Sequence, residues 1–381
     1  MIRKADKMRF VLFLVWMVAA AILTAPRCTV VFADDGVAGT EAEAETAAPE
    51  PQSEEGMLMM PASGSALMAG GWDDNPPPVS PIGIGGAFSA LMEESFRTDL
   101  ATGAAVLGIP IVVPPGRKNV QPSIALSYSS NNENGICGVG WTLQAATAIQ
   151  RSTKDGVPRY TAVDDFVAGG QELVMVAETP HEYEYRAKIE SAFMKYVFLP
   201  SENRWVVYDK NGTKYYFGTT SASRLAHPAI PHYVFAWYVD KVQDVYGNTM
   251  TYTYGDNIPQ EGSADNQLYL RSIEYTSNPY CNPPLKADKM VRFEYVDTRA
   301  DKIYSRRMGW NAVIRLRLSK VRIFIDEDKD GVWSGDEVVW TYLLGYGESE
   351  DTARSLLTSV QLEDGTGAKL PAKTFQYQTL E

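Results

Sequence analysis

Beyond residue 97 apolar and polar residues alternate in short runs, the period of strands that put one face in a core and leave the other in water. An apolar run from Ala104 to Val113 is stopped by Pro114-Pro115-Gly116. A second run sets Ile124, Leu126 and Tyr128 on one side and leads into a polar turn, Asn131 to Gly135. Gly138-Val139-Gly140-Trp141 then joins glycines that admit close backbone approach to a large aromatic that calls for burial. Arg204 to Tyr208 and Lys214 to Phe217 flank Asp209-Lys210-Asn211-Gly212, and Asn-Gly between alternating runs predicts a hairpin.

The second half repeats loosely. Val239-Asp240-Lys241-Val242 leads to Met250, Tyr252 and Tyr254, and Leu270-Arg271-Ser272-Ile273 leads to Val291, Phe293 and Tyr295. Leu318-Ser319-Lys320-Val321 leads to Val338, Trp340 and Tyr342, and Leu357-Thr358-Ser359-Val360 leads to Phe375 and Tyr377. The starts fall 31, 48 and 39 residues apart, so the unit is a hairpin with variable loops and not a solenoid turn. The apolar set Ile314, Leu316, Leu318 changes parity to Val321, Ile323, Ile325, which predicts a bulge near Ser319-Lys320. The fold class that follows is all-β, multiple antiparallel hairpins forming part of a large shell or sandwich over residues 86–381. A short helical turn from Phe88 to Phe96 is expected to precede it.

The first 85 residues are of another kind. Arg3, Lys4, Lys7 and Arg9 precede an uncharged apolar run, Phe10 to Leu23, and Val31-Phe32-Ala33 has the small residues a signal peptidase needs before Asp34. Residues 1–33 therefore read as a signal peptide and the mature chain as secreted, with no stable membrane anchor after cleavage. Extended to Pro26, the uncharged run of 17 residues is barely long enough to span a bilayer, which needs about 20. Residues 34–85 are rich in Ala, Glu, Pro, Gly and Ser and read as a disordered acidic linker, because they bury too little apolar surface to offset the entropy of ordering.

Charge and cysteines narrow the picture further. Of the net −12, residues 34–75 carry −10 and residues 76–381 only −6, offset by +4 in residues 1–33. A mildly acidic folded part without a clustered basic surface argues against a nucleic-acid partner. Lys302 to Arg322 holds seven basic residues, which read as solvated strand charges. A bridge between Cys137 and Cys281 is possible in an oxidising compartment, but two cysteines do not make a disulfide-dependent scaffold.

One motif carries specific chemistry. In Asp-Glu-Asp-Lys-Asp-Gly-Val-Trp-Ser-Gly-Asp-Glu, Asp326, Asp328, Asp330, Val332, Ser334 and Glu337 fall at positions 1, 3, 5, 7, 9 and 12 of a calcium loop, with Gly331 at the sharp turn. Ca²⁺ takes six to eight hard oxygens, and three carboxylates so close repel one another without a cation. The flanks, Val321 to Ile325 and Val338 to Leu344, alternate as strands, so the loop is expected to cap a β-hairpin and bind Ca²⁺ structurally. The competing reading is a solvated acidic turn.

Catalytic constellations are missing. His181-Glu182-Tyr183-Glu184-Tyr185 has Tyr185 where a zinc protease needs a second histidine, and His227 and His232 lie in a Pro-rich connection without a third ligand. Neither a Gly-x-Ser-x-Gly elbow nor a phosphate-binding P-loop occurs.

The words Thr98-Asp99-x-x-Thr102-Gly103, Pro114-Pro115-Gly116-Arg117, Leu126-Ser127-Tyr128-Ser129-Ser130 and Gly138-x-Gly140-Trp141 stand in order. In that order they resemble the N-terminal SpvB/TcaC-like domain of bacterial toxin-complex B components. Tyr246-Gly247-Asn248 followed by Tyr252 and Tyr254 is similar to the tyrosine-rich repeats of Rhs proteins, which wind into a large β-shell. The resemblance covers about residues 95–381. It implies a non-enzymatic shell module that houses or delivers a toxin, with other toxin-complex subunits or downstream shell and propeller segments as partners. It also implies that the chain is a fragment or a split subunit. The alternative is a stand-alone secreted surface- or glycan-binding module. ADP-ribosylation belongs, in the virulence protein that names the family, to a separate C-terminal domain with an Arg, a Ser-Thr-Ser-type strand and a Glu-x-Glu loop. Here Arg151-Ser152-Thr153 lacks that context, and Glu41-x-Glu43-x-Glu45 lies in the acidic linker.

Overall fold

The computed structural model describes residues 95–100, 102–255, 265–297 and 299–378; the expected signal peptide and acidic linker lie outside them. The chain divides into two units. Residues 280–285, mostly turn and bend, are the described part of one, and the remaining described residues belong to the other. Among the described residues the only helical structure is three short 3₁₀ turns, so the fold is all-β. Of the helical turn expected at 88–96, Ser95 and Phe96 are instead in a strand, and the rest lies outside the described residues.

The opening segment carries β1 (Ser95–Thr98), β2 (Ala105–Ile111), β3 (Ile124–Ser129), β4 (Asn134–Gly135), β5 (Gly138–Val139) and β6 (Trp141–Gln144). β1, β2, β3 and β6 form one antiparallel sheet in that order, and β4 and β5 make a tight hairpin. β7 (Ala148–Arg151), β8 (Phe166–Ala168), β9 (Gln171–Glu178), β10 (Tyr183–Ala187), β11 (Lys195–Leu199), β12 (Arg204–Tyr208) and β13 (Lys214–Phe217) then run up and down in sequence order. The predicted Asn-Gly hairpin is β12–β13.

β14 (Arg224–His227) and β15 (Ile230–Gln243) follow, and the 14-residue β15 does two jobs. It pairs with β7 through Ala236–Tyr238 and with β13 through Val239–Gln243, closing eight strands into a ring. The ring is filled by side chains, as an eight-stranded closure allows. Phe166 of β8 meets Trp205 of β12 across it at 5.0 Å, and Trp205 meets Trp237 of β15 at 6.1 Å.

The remaining strands are β16 (Thr249–Gly255), β17 (Tyr269–Ser277), β18 (Lys289–Val296), β19 (Ile303–Ser305), β20 (Ala312–Ile314), β21 (Arg317–Ile325), β22 (Val338–Glu348), β23 (Ser355–Asp364) and β24 (Lys373–Thr374). From β15 the sheet continues as β16-β17-β18-β21-β22-β23-β24, all antiparallel, while β19 and β20 pair separately. The predicted bulge is present: Glu294 faces Lys320 and Tyr295 faces Leu318, leaving Ser319 extra.

The four loose repeats share one hydrogen bond. The hydroxyls of Tyr254, Tyr295, Tyr346 and Tyr377 donate to the carbonyls of Val239, Leu270, Leu318 and Leu357, at 2.6, 2.9, 2.6 and 2.7 Å. Each acceptor is the first residue of its unit. In the third unit the donor is Tyr346, four residues beyond the aromatic that the alternation singles out.

The opening segment lies against the inner face of this second run of strands. The Val112 N–H donates to the Tyr342 hydroxyl at 3.1 Å, and the Trp340 indole N–H donates to the Val112 carbonyl at 3.1 Å. Tyr275 donates to the Pro114 carbonyl at 2.9 Å, and the Trp141 indole donates to the Tyr377 hydroxyl at 2.9 Å. Trp141, Leu126 and Ile109 share one buried cluster with Tyr275, Phe293 and Tyr342.

Candidate metal centre

The loop at 326–337 joins β21 to β22 and ends in a 3₁₀ turn, Gly335–Glu337, so it caps a β-hairpin as its flanks predict. One carboxylate oxygen from each of Asp326, Asp328 and Asp330 comes within 4.8 Å of the others. Local backbone bonds hold them there. The Gly331 N–H donates to Asp326 Oδ2 at 2.9 Å, the Asp330 N–H to Asp328 Oδ1 at 3.1 Å, and the Val332 N–H to Asp330 Oδ1 at 2.6 Å. Gly331 has φ +80°, the left-handed value this turn requires.

Asp326 differs from its neighbours because it is buried, 2% exposed, and its Oδ1 has no hydrogen-bond partner. A buried, unsatisfied carboxylate oxygen is costly, and a cation is what would satisfy it. The Asp328 carboxyl sits above the ordinary carboxylate range. The Asp330 amide favours its charged form, but desolvation and the adjacent Asp330 and Asp326 carboxylates outweigh that bond. Lys286 Nζ donates to the Asp330 carbonyl at 3.1 Å, a cation at the rim of the loop.

The sequence-predicted ligands are not all gathered. Glu337 Oε2 accepts from the Ser334 N–H at 2.6 Å and from Ser334 Oγ at 3.1 Å, so positions 9 and 12 cap their own turn and the close carboxylate group is the three aspartates. Val332 is exposed.

Other polar groups that stand out in the sequence serve the fold. Arg151 is 7% exposed; it pairs with Asp164 at 2.7 Å, donates to the Val234 carbonyl at 2.9 Å and lies over the rings of Tyr160, Phe166 and Trp237. His227 Nδ1 accepts the amides of Ala229 and Ile230, both at 3.1 Å, closing the turn between β14 and β15. Cys137 is a buried free thiol and so does not bridge to Cys281; burial pushes its pKa up to about 12, which makes it inert at neutral pH.

The reading of Lys302 to Arg322 as solvated charge is corrected at Arg315. This side chain is 7% exposed and paired with Asp265 at 2.9 Å and Asp297 at 2.6 Å. Its partners lie 50 and 18 residues away, which no local pattern could reveal. A second network missed by the pattern is built on Asp301. It accepts from Arg299 at 3.1 Å, from Asn134 at 2.7 Å, and from the Ser355 hydroxyl and amide at 2.6 and 2.8 Å. It ties the β4–β5 hairpin to the start of β23.

Comparison with known proteins matches this architecture. The family model described as "Salmonella virulence plasmid 65kDa B protein" (SpvB) matches residues 99–290, half of the chain. The chain belongs to the SpvB family. A curated member, the mono(ADP-ribosyl)transferase SpvB of Salmonella choleraesuis, is 28% identical over 207 residues. That match covers 45% of this chain and 35% of the relative, so the chain spans about a third of the length of the curated proteins it matches. Among solved structures, the N-terminal domain of SpvB from Salmonella typhimurium superposes with a TM-score of 0.56 at 21% identity, covering 67% of this chain and 98% of that domain. The TcdB2-TccC3 crystal structure gives a TM-score of 0.65 at 21% identity, covering 75% of this chain and 17% of that one. The Photorhabdus luminescens Tc holotoxin pore gives 0.65 at 20% identity, covering 75% and 16%. The fold is therefore that of the SpvB N-terminal domain and of part of a toxin-complex chain. Among the described residues no helix is long and apolar enough to cross a membrane.

Proposed function

We propose that this chain is a structural module of a secreted toxin-complex-type assembly, that it performs no chemistry itself, and that Ca²⁺ pins the hairpin β21–β22. The observation that carries the reading is the match to nearly the whole SpvB N-terminal domain by a fold whose buried charges are committed to holding strands together. Arg151, the residue an ADP-ribosyltransferase reading would need, is enclosed by Asp164 and three aromatic rings.

Calcium is supported by the buried, unpartnered Asp326 Oδ1 beside two further carboxylates. Asp326, Asp328 and Asp330 would hold the ion, with Val332, Ser334 and Glu337 completing the loop spacing. At affinities usual for extracellular modules, millimolar Ca²⁺ would stabilise the fold by about 1–2 kcal/mol.

Thermal melts test the metal. The full chain is expected to melt several degrees higher in 5 mM Ca²⁺ than in chelator, and Asp326→Asn to lose that difference; equal melting temperatures contradict the site. Incubation with NAD⁺ tests the absence of chemistry. No release of nicotinamide above a heat-denatured control is expected, and steady turnover would refute the scaffold reading.

A further inference from the structure

The outer face of β17, β18 and β21 is covered where a strand face in water should be open. Val291, Phe293 and Tyr295 point into the main core, so Met290, Arg292 and Glu294 alternate to the other side. Phe324 and Glu274 both stand opposite Met290 in register. Met290 and Phe324 are nevertheless only 2% and 1% exposed. Their cover includes Arg292, whose guanidinium lies 4.7 Å over the Phe324 ring, and Trp333, edge-on to Phe324 at 6.4 Å.

Trp333 belongs to the acidic loop, between Val332 and Ser334, so its place on the sheet is set by the loop's conformation. Beside it is a cavity of about 510 Å³ lined by Arg271, Glu274, Arg292, Glu294 and Trp333. Arg322 also reaches Glu294 at 3.3 Å. Burial pushes the Glu274 carboxyl above its ordinary range, opposed by Arg292 and by the Trp333 indole donor.

We propose that this cavity is a saccharide-binding site whose aromatic wall, Trp333, is put in place when the aspartate loop takes up Ca²⁺. The inference rests on the calcium reading above. Two guanidinium groups and two carboxylates balance in charge, so the lining does not select a net anion or cation. Their planar forks match the paired donors and acceptors of neighbouring hydroxyls. Trp333 adds apolar surface for the C–H face of a sugar ring. The walls are polar, which disfavours an acyl chain.

The test uses the full chain on a panel of immobilised neutral oligosaccharides, in Ca²⁺ and in chelator, with calcium calorimetry on the same preparations. Binding to at least one glycan is expected in Ca²⁺. It should weaken at least tenfold in chelator and in Trp333→Ala and Glu274→Gln, while both variants still take up Ca²⁺. Glu274→Gln keeps the side chain's shape and guards against a folding defect in Trp333→Ala. A calcium-loaded protein that binds no glycan overturns the cavity assignment alone. Glycan binding unchanged by chelator overturns the coupling, and binding unchanged by both variants overturns the cavity assignment. An absence of calcium heat contradicts the metal site itself and the inference with it.

Discussion

Gly138 shows how much one position can carry. Its φ is +85°, and a Cβ placed there would lie 2.6 Å from the Ser355 carbonyl oxygen, a backbone atom that cannot swing away. Gly138→Ala is expected to cost about 2–4 kcal/mol, strain and clash together. Gly103→Ala, at φ +71° with nothing within 4 Å of the new Cβ, should cost about 1 kcal/mol through backbone strain alone. Urea melts of the two variants check the difference, and equal losses would contradict the docking of β5 on β23. At this scale the sequence was readable wherever a residue's role is local. The Gly-x-Gly-Trp word announced close approach, and the aspartate spacing announced a carboxylate cluster. It was silent on Arg315 and on Asp326's burial, because both depend on strands that meet only after folding.

Among elements, the hairpin repeat acquires a physical definition. Each unit closes when a late tyrosine donates to the carbonyl of the unit's first residue. Tyr→Phe at 254, 295 or 346, all well packed, should each cost about 1–2 kcal/mol, since a buried carbonyl loses its partner. Tyr377→Phe should cost at least as much, because the buried Leu357 carbonyl loses its donor and the buried Trp141 indole loses its acceptor. Denaturant midpoints of the four single variants test the order. The alternation of apolar residues marked these strands and the Ser319 bulge, but not the latch in the third unit, which skips from Tyr342 to Tyr346.

The Asp301 network acts at the same scale and gives a pH dependence. Burial alone would raise the Asp301 carboxyl, but Arg299, Ser355 and Asn134 donate to it and hold it well below the ordinary carboxylate range. A depressed folded pKa means stability that is complete above the unfolded value, near 4, and lost as pH falls below it. Stability should therefore drop between about pH 4 and pH 2, and Asp301→Asn should be less stable at pH 7 with a shallower acid limb. Parallel acid limbs for the two proteins would contradict the network.

At the scale of the molecule, eight strands close on an aromatic interior, and the long strand β15 passes from that ring into an open run ending at β24. β24 is two residues long, and the chain on either side of it also bonds to β23, the Leu370 N–H to the Leu362 carbonyl and the Phe375 N–H to the Thr358 carbonyl, both at 2.9 Å. The outer side of this β24 segment is the last edge of the sheet among the described residues, and a sheet edge can accept a further strand. The all-β class and hairpin order were legible from alternation and turn chemistry. Closure of the ring was not, because it depends on one strand pairing with β7 and β13 at different points along its length.

The scaffold account is tested most directly by hydrogen exchange on the full chain, alone and co-expressed with the products of neighbouring genes. It predicts a stable complex in which amides of β23 and β24 gain protection while the eight-stranded ring is unchanged. A chain that stays monomeric with all of these partners, its β23–β24 amides exchanging as in isolation, would contradict a role as part of a larger assembly.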